Sequence, residues 1–194
     1  MELMFWFALY IILGVFSAGL IFNGLAYGAM YTRIDKKRLK KIMQLGKLSP
    51  HKTVYDLGAG FGRIMLEAAK SGATVVGYEI DPFKVFWINC QIDGRFHLRR
   101  LMSQGFTEGL WHNPFKYESD AVTTSVVRDN LLHADLSKAD IVYCYLAPKL
   151  MQLLGEKATK EMKSGSKIIT VEWDIPSLKP AYSDPIDKIY MYRF

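Results

Sequence analysis

The sequence predicts an α/β domain with a mostly parallel sheet and helices on both faces, preceded by one N-terminal transmembrane helix. Two observations predict this arrangement. From residue 53 onward, short apolar runs alternate with amphipathic stretches, which is the pattern of βαβ units. Ahead of them, residues 3–22 contain no Asp, Glu, Lys, Arg or His. The chain has 194 residues, 50% of them hydrophobic, which suits one domain with an appendage and excludes a disordered chain.

The N-terminal apolar run is long enough to cross a bilayer. A helix of about twenty residues spans roughly 30 Å, which is the thickness of the hydrocarbon core. Trp6 and Tyr10 lie toward one end and Tyr27 and Tyr31 beyond the other, where interfacial aromatic residues are common. A cleaved signal peptide is the alternative, but no Lys or Arg precedes the run, and its length exceeds the roughly 7–15 residues of a signal-peptide core. We therefore expect residues 1–30 to form a transmembrane anchor.

Basic residues are concentrated directly after this anchor. Residues 31–52 contain eight Lys or Arg and one acid, Asp35, and we treat them as a basic juxtamembrane segment. Residues 53–194 hold 17 basic (25 − 8) and 17 acidic (19 − 2) side chains, so the formal charge of +6 does not indicate a nucleic-acid partner. A basic flank is retained on the cytoplasmic side, which predicts a single-pass membrane protein with its domain in the cytoplasm. The segment is also expected to contact anionic lipid headgroups.

The elements of the domain, residues 53–194, follow from their patterns in chain order. Apolar runs predict strands at Thr53–Leu57, Thr74–Glu79, Ala121–Val127, Ile141–Tyr145, Lys167–Trp173 and Lys188–Phe194. Helical spacing predicts helices at Arg63–Lys70, after Asp81 and at Lys149–Lys163. Residues 105–120 are expected to form a loop.

The helix after Asp81 has an amphipathic pattern. Asp81 is its expected N-cap, with Pro82 in the first turn. Apolar residues then recur at i, i+3, i+4 and i+7, which predicts the face that packs on the sheet: Phe83, Phe86, Trp87 and Cys90.

The turn after the first strand carries residues that indicate a ligand. Asp56 is followed by Gly58, Gly60 and Gly62 in the order Asp-Leu-Gly-Ala-Gly-Phe-Gly. Glycines let the backbone approach a ligand closely, and the helix start directs amide N–H groups toward it. A dinucleotide fingerprint would need glycine at position 63, where the chain has Arg63. A carboxylate beside the turn disfavours a pyrophosphate and favours a ligand with a positively charged amino-acid head.

A second acid ends the next strand. Glu79 lies where an acid can accept hydrogen bonds from both hydroxyls of a ribose. The glycine turn and this acid, in a βαβ context, together indicate S-adenosylmethionine.

These motifs resemble those of class I S-adenosylmethionine-dependent methyltransferases, which have a Rossmann-like fold. The stretches DLGAGFGR and GYEIDP carry the resemblance. Within that class, residues 28–31, 128–137 and 139–151 resemble archaeal protein-lysine methyltransferases and their membrane-anchored mitochondrial relatives. The similarity covers nearly the whole chain. It implies an enzyme that N-methylates lysine side chains of a protein.

The resemblance also implies roles for single residues. The methionine end of the cofactor would lie against Asp56, Gly58 and Gly60, with Gly62 opening the helix. The ribose and adenine would contact Glu79, Ile80, Asp129 and Asn130. Tyr145 would lie beside the transferable methyl group.

Three residues are candidates for the catalytic side of the site: Tyr31, Tyr145 and Glu172. An acceptor lysine must lose its proton before it attacks, and a hydroxyl or carboxylate can orient the amine and assist. Tyr145 and Glu172 lie at strand ends, where a doubly wound sheet binds ligands. Tyr31 as an interfacial anchor and Tyr145 as a core residue fit the sequence equally well, and Glu172 could also lie on a solvated edge.

Two other functions fit the sequence. One is methylation of a small or lipidic molecule such as a quinone, and the other is a non-catalytic cofactor-binding adaptor, which the intact glycine turn with Glu79 disfavours. No metal is predicted, because the four histidines share no ligand spacing: His51, His97, His112 and His133. Cys90 and Cys144 lie in apolar runs and are expected to be buried.

Overall fold

The computed structural model describes residues 32–94, 117–119 and 122–194, and near the start residues 2, 4, 6, 7, 9–11 and 14. The chain divides into two compact units, Met1–Thr32 and Arg33–Phe194. In the first unit the described positions from 2 to 14 are helical. Within the described positions, no helix has the length and apolar character needed to cross a membrane. Most of residues 3–22, where the anchor is predicted, lies outside the described residues.

The second unit is built on a sheet that has eight strands in the described part of the chain. They are β1 (Thr53–Leu57), β2 (Thr74–Glu79), β3 (Tyr117–Ser119), β4 (Val122–Arg128), β5 (Ile141–Cys144), β6 (Lys167–Val171), β7 (Tyr182–Asp184) and β8 (Ile189–Arg193). The order across the sheet is β3-β4-β2-β1-β5-β6-β8-β7. Strands β4, β2, β1, β5 and β6 are parallel, whereas β3 and the β7–β8 hairpin are antiparallel to their neighbours.

In the part of the second unit that the structure describes, four α-helices cover the two faces of this sheet. They are α1 (Lys36–Gly46), α2 (Arg63–Ala68), α3 (Pro82–Gly94) and α4 (Pro148–Glu161). Buried residues of α1, α2 and α3 share one apolar cluster, and those of α4 belong to a second. Successive residues of β5 alternate between the two clusters, so the clusters lie on opposite faces of the sheet. The predicted α/β fold class is confirmed.

In a sheet of this topology, ligands bind at the carboxyl ends of the central strands. The chain leaves β1 toward β2 on one side and later returns to β5 on the other side of β1. Loops that diverge in this way leave a crevice at the carboxyl edge of the sheet. Leu57 at the end of β1 is in register with Tyr78 of β2 and with Cys144 of β5. The residues that follow these strands therefore surround one crevice.

The prediction of which face of α3 packs on the sheet is wrong. Ile88 is fully buried and Ile92 nearly so, whereas Phe86 is 57% exposed and Trp87 is 47% exposed. Cys90 is exposed as well, which corrects the expectation that it is buried. Apolar residues occur around most of this helix, so two stripes satisfy helical spacing. The spacing alone could not tell which stripe packs on the sheet.

Three further elements differ from the sequence predictions. β6 ends at Val171, so Glu172 and Trp173 lie beyond it rather than within a strand. β3 occupies part of the predicted loop 105–120, of which residues 105–116 lie outside the described residues. β7 was not predicted, because three residues without alternation give no strand pattern.

The basic segment contains a helix of the fold. The sequence boundaries separate residues 31–52 from the domain 53–194, but the compact unit begins at Arg33 and includes α1. Leu39 and Ile42 of α1 are buried against the sheet. The Tyr143 hydroxyl of β5 donates to the Ile42 carbonyl at 3.1 Å. Lys167 of β6 donates through Nζ to the last carbonyls of α1, where a cation is favourable.

We predict that alanine at position 46 destabilises the protein. A Cβ on Gly46 would lie 2.1 Å from the Tyr143 hydroxyl oxygen, so either α1 or the Tyr143 side chain must move. Such overpacking costs about 1–3 kcal/mol, which urea unfolding would measure as a lower free energy of unfolding. Adding Tyr143→Phe should recover part of this loss, because it removes the nearest atom. The control is Gln44→Ala, at an exposed position of α1. Equal stability of wild type and Gly46→Ala would contradict the packing of α1 on β5.

Candidate cofactor and methyl-transfer site

The glycine turn after β1 depends on residues without a Cβ. Gly58, Gly60 and Gly62 have φ values of 77°, 57° and 79°, in the left-handed region that other residues avoid. A Cβ on Gly58 would also lie 2.7 Å from a methyl carbon of Leu146. The turn is tied to β2, because the amides of Gly58 and Ala59 both donate to the Tyr78 carbonyl at 2.9 Å. The backbone N–H groups of this turn therefore have a fixed direction.

Glu79 holds the same turn through its side chain. Its carboxylate is 7% exposed at the end of β2. One oxygen accepts from the Gly60 amide at 2.8 Å, and the other accepts from the amides of Ile80 and Asp81, both at 3.0 Å. An ionised carboxylate offers about four acceptor positions, so one stays available to a ligand hydroxyl. The acid predicted to bind a ribose is thus the residue that links β2 to the glycine turn.

Asp56 supplies a second buried carboxylate. It is 2% exposed in β1, and its Oδ2 accepts from the Met65 amide of α2 at 3.0 Å. Burial raises the pKa of Asp56 to about 7, and the negative charge of Glu79 acts in the same direction. Asp56 therefore changes protonation in the physiological range, and a positively charged ligand group nearby favours its ionised form.

Gly77 is a site residue that the sequence analysis missed. It is in register with Asp56, and a Cβ there would lie 2.5 Å from the Met65 sulfur. Because Gly77 has no Cβ, α2 can approach the strands closely, and the Met65 amide then donates to the Asp56 carboxylate. The signal in the sequence was a glycine inside a strand, which marks close approach of another part of the chain.

The predicted adenine-contacting residues lie side by side. Glu79 of β2 is in register with Arg128 of β4, so Ile80 and Asp129 follow at the same level. The Asp129 amide donates to the Glu79 carbonyl at 3.2 Å. The Asp129 carboxylate lies 2.9 Å from Nδ1 of His133, and this hydrogen bond lowers the pKa of Asp129. Asn130 uses its side-chain oxygen to accept from the Leu132 amide at 3.0 Å.

Two of the predicted catalytic residues meet around an arginine. Tyr145 follows β5, and the guanidinium carbon of Arg38 lies 5.7 Å from its ring centroid. Nη1 of Arg38 donates to Glu172 at 2.9 Å, and Lys188 donates to the other oxygen of the same carboxylate. Hydrogen bonds from Lys188 and then Arg38 lower the pKa of Glu172. Tyr31, the third candidate, lies outside the described residues.

Arg38 is a second residue that the sequence analysis did not identify. It was counted in the basic juxtamembrane segment because its neighbours in sequence are lysines. Its partner Glu172 is 134 residues away, so local pattern gave no indication of the contact. Trp173, adjacent to Glu172, is 44% exposed. In the described ranges, no group of three or more His, Cys, Asp and Glu residues could hold a metal ion.

The crevice provides what S-adenosylmethionine needs. Two buried carboxylates face the ends of adjacent parallel strands, and glycine backbone lies between them. A buried carboxylate suits the ammonium group of an amino-acid head, and the free acceptor position of Glu79 suits a ribose hydroxyl. Class I methyltransferases bind their cofactor in this way, and the protein is an S-adenosylmethionine-dependent methyltransferase of that fold class.

The family follows from a comparison of sequences. The family described as the ANTKMT methyltransferase domain matches residues 56–182, which is more than half of the chain. The chain therefore belongs to the ANTKMT methyltransferase domain family.

Relatives with described activities are similar over most of this chain. A protein-lysine N-methyltransferase of Saccharolobus islandicus is 27% identical over 152 residues, covering 77% of this chain and 80% of the relative. A human lysine N-methyltransferase named for a subunit of ATP synthase is 27% identical over 142 residues, covering 72% of this chain and 51% of the relative. The mouse adenine nucleotide translocase lysine N-methyltransferase is 25% identical, covering 84% and 62%. The chain thus spans only about half to two thirds of these mammalian proteins.

A solved structure supports the fold. An RNA methyltransferase from Salinibacter ruber, in complex with S-adenosyl-L-homocysteine, superposes with a TM-score of 0.65 at 24% identity. The match covers 84% of this chain and 93% of that one.

We predict that cofactor affinity depends on pH through Asp56. Its pKa of about 7 lies above its ordinary value of 3.8, so the ligand-free protein loses stability as pH rises toward 7, by at most about 1.4 kcal/mol per pH unit. A cationic ligand group favours the ionised carboxylate, so affinity for S-adenosylmethionine should increase from pH 6 to pH 7.5, with release of a proton. Calorimetry in two buffers of different ionisation enthalpy measures both the affinity and the number of protons released. In Asp56→Asn the proton release should vanish. Undiminished release in this variant would show that another group titrates.

Proposed function

We propose that the protein N-methylates lysine side chains of a protein substrate, and that residues 1–30 anchor it in a membrane with the domain on the cytoplasmic side. The observation that carries the lysine assignment is the place of Tyr145. It directly follows Cys144, which is in register with Leu57, the residue before the glycine turn. A tyrosine hydroxyl at the level of the cofactor turn can orient an amine. The relatives described above are named for methylation of lysine in proteins, which supports the same acceptor.

The chain contributes mainly by placing the acceptor. S-adenosylmethionine would supply the methyl group, and its sulfonium sulfur would leave as the neutral thioether of S-adenosylhomocysteine. A lysine amine with an ordinary pKa of about 10.4 must be neutral to attack, and partial removal from water lowers that pKa. Tyr145 is half-buried beside an apolar cluster, so its hydroxyl can accept a hydrogen bond from an amine in such surroundings. Fixing the nucleophile close to the methyl group accounts for most of the rate enhancement in a displacement of this type.

Charge and hydropathy support the membrane part of the proposal. Residues 3–22 contain no Asp, Glu, Lys, Arg or His, and the basic segment begins at residue 31. Some of its charge is used within the fold, since Lys37 and Lys41 pair with Asp184 and Asp187. Other basic side chains of the segment are exposed and available to anionic headgroups: Arg33, Lys36, Lys40 and Lys47.

The acceptor can be identified by following the methyl group. The full chain in detergent is incubated with methyl-labelled S-adenosylmethionine and solubilised membranes. We expect label on protein bands and methyl-lysine after acid hydrolysis. Glu79→Ala should abolish labelling, whereas Glu156→Ala, which removes an exposed acid of α4, should leave it unchanged.

Two results would contradict this proposal. Label confined to the organic extract would indicate a lipidic acceptor such as a quinone. Measurable cofactor binding without transfer to any fraction would indicate an adaptor.

A further inference from the structure

One side chain of α1 contacts two of the three predicted catalytic residues, Tyr145 and Glu172, at the carboxyl edge of the sheet. Arg38 donates through Nε to Asp35 at 2.6 Å and through Nη1 to Glu172 at 2.9 Å. Its guanidinium lies over the Tyr145 ring, 5.7 Å from the centroid. The side chain is only 21% exposed, so these contacts define its position.

We propose that Arg38 is a positioning residue for methyl transfer: its guanidinium fixes the ring of Tyr145, and Asp35 and Glu172 fix the guanidinium. The inference rests on the proposed lysine methylation only in its final step, since the placement of Tyr145 is a property of the protein alone. It gives Glu172 a role different from that of a proton acceptor.

Glu172 is suited to hold a cation and unsuited to take a proton from an amine. Its two oxygens accept from Arg38 and Lys188, and both contacts lower its pKa. Its backbone is in the left-handed region, with φ of 74°, and its amide donates to the Lys188 carbonyl at 2.8 Å. A non-glycine residue persists in this conformation when its surroundings fix it, which is common at functional sites. The start of β8 therefore determines where the Glu172 carboxylate points.

The geometry requires an arginine. The guanidinium donates through two different nitrogens to two carboxylates while its central carbon lies over the Tyr145 ring. A lysine ammonium is a point charge without a flat face, so it cannot make these three contacts from one position. Tyr145 lies beyond the end of β5, where strand pairing no longer restrains its backbone. Loss of the guanidinium would let its hydroxyl move, and a displacement of about 1 Å can cost a hundredfold in rate.

The test compares two positions on the same helix. Arg38→Lys keeps the charge but loses the planar group. Lys41→Gln, one turn further along α1, loses the charge and two ion pairs to Asp184 and Asp187 but does not involve Tyr145. If Arg38 served only to attach α1 to the sheet, Lys41→Gln would lower kcat at least as much as Arg38→Lys.

Two readouts decide the question in the full chain. In the methyl-lysine assay with solubilised membranes as acceptor, Arg38→Lys should lower kcat about tenfold or more at unchanged affinity for S-adenosylmethionine, and Lys41→Gln should stay within about twofold of wild type. In ring-¹³C-tyrosine NMR, with the Tyr145 signal assigned by Tyr145→Phe, Arg38→Lys should shift that signal and Lys41→Gln should not.

The outcomes separate this inference from the proposed function. Equal kcat losses in both variants, or a Tyr145 signal unmoved by Arg38→Lys, would overturn the positioning role. Absence of methyl-lysine with the wild-type protein would overturn the proposed function, and the NMR comparison would then decide the inference alone.

Discussion

The rest of the site depends on the hydrogen bonds that the Glu79 carboxylate accepts from the glycine turn and from the residues after β2. A turn of three glycines with positive φ loses much conformational freedom when it becomes ordered, and it has few side chains to stabilise it. The hydrogen bond from the Gly60 amide to Glu79 supplies part of the missing stabilisation and ties the turn after β1 to the end of β2. The same carboxylate is the ribose acceptor of the fold class. One side chain thus shapes the crevice and is also the residue predicted to bind the ribose.

The basic segment before the domain serves both the fold and the membrane proposal. Lys37 and Lys41 pair with Asp184 and Asp187 around β7 and its turn, whereas Arg38 pairs with Asp35 before α1 and with Glu172 after β6. Exposed pairs of this kind contribute little stability individually, but the buried side of α1 packs against β5 and β6. The helix is therefore held by apolar contact and oriented by charge. This orientation brings Arg38 to the carboxyl edge, next to Tyr145.

Local patterns predicted most of the fold and the residues around the glycine turn that the structure brings together. The boundaries of β1, β2 and the glycine turn, and the cap of α3 at Asp81, were predicted because each depends on neighbouring residues. The inner face of α3 could not be predicted, because both of its stripes are apolar. Contacts between distant residues were also missed, since Arg38 and Glu172 are brought together only when β6 enters the sheet. Most of the residues predicted to bind the cofactor lie close together in the sequence, whereas Arg38, Tyr145 and Glu172 come from distant parts of it.

The most direct test of the account removes one partner from each side of the Glu79 contact. Affinities of wild type and Glu79→Ala are measured for S-adenosylhomocysteine and for its analogue without the ribose hydroxyls. Loss of the hydroxyls should weaken binding about tenfold or more in the wild type and have little further effect in the variant, because both changes remove the same hydrogen bond. Independent losses that simply add would contradict the assignment of Glu79 to the ribose.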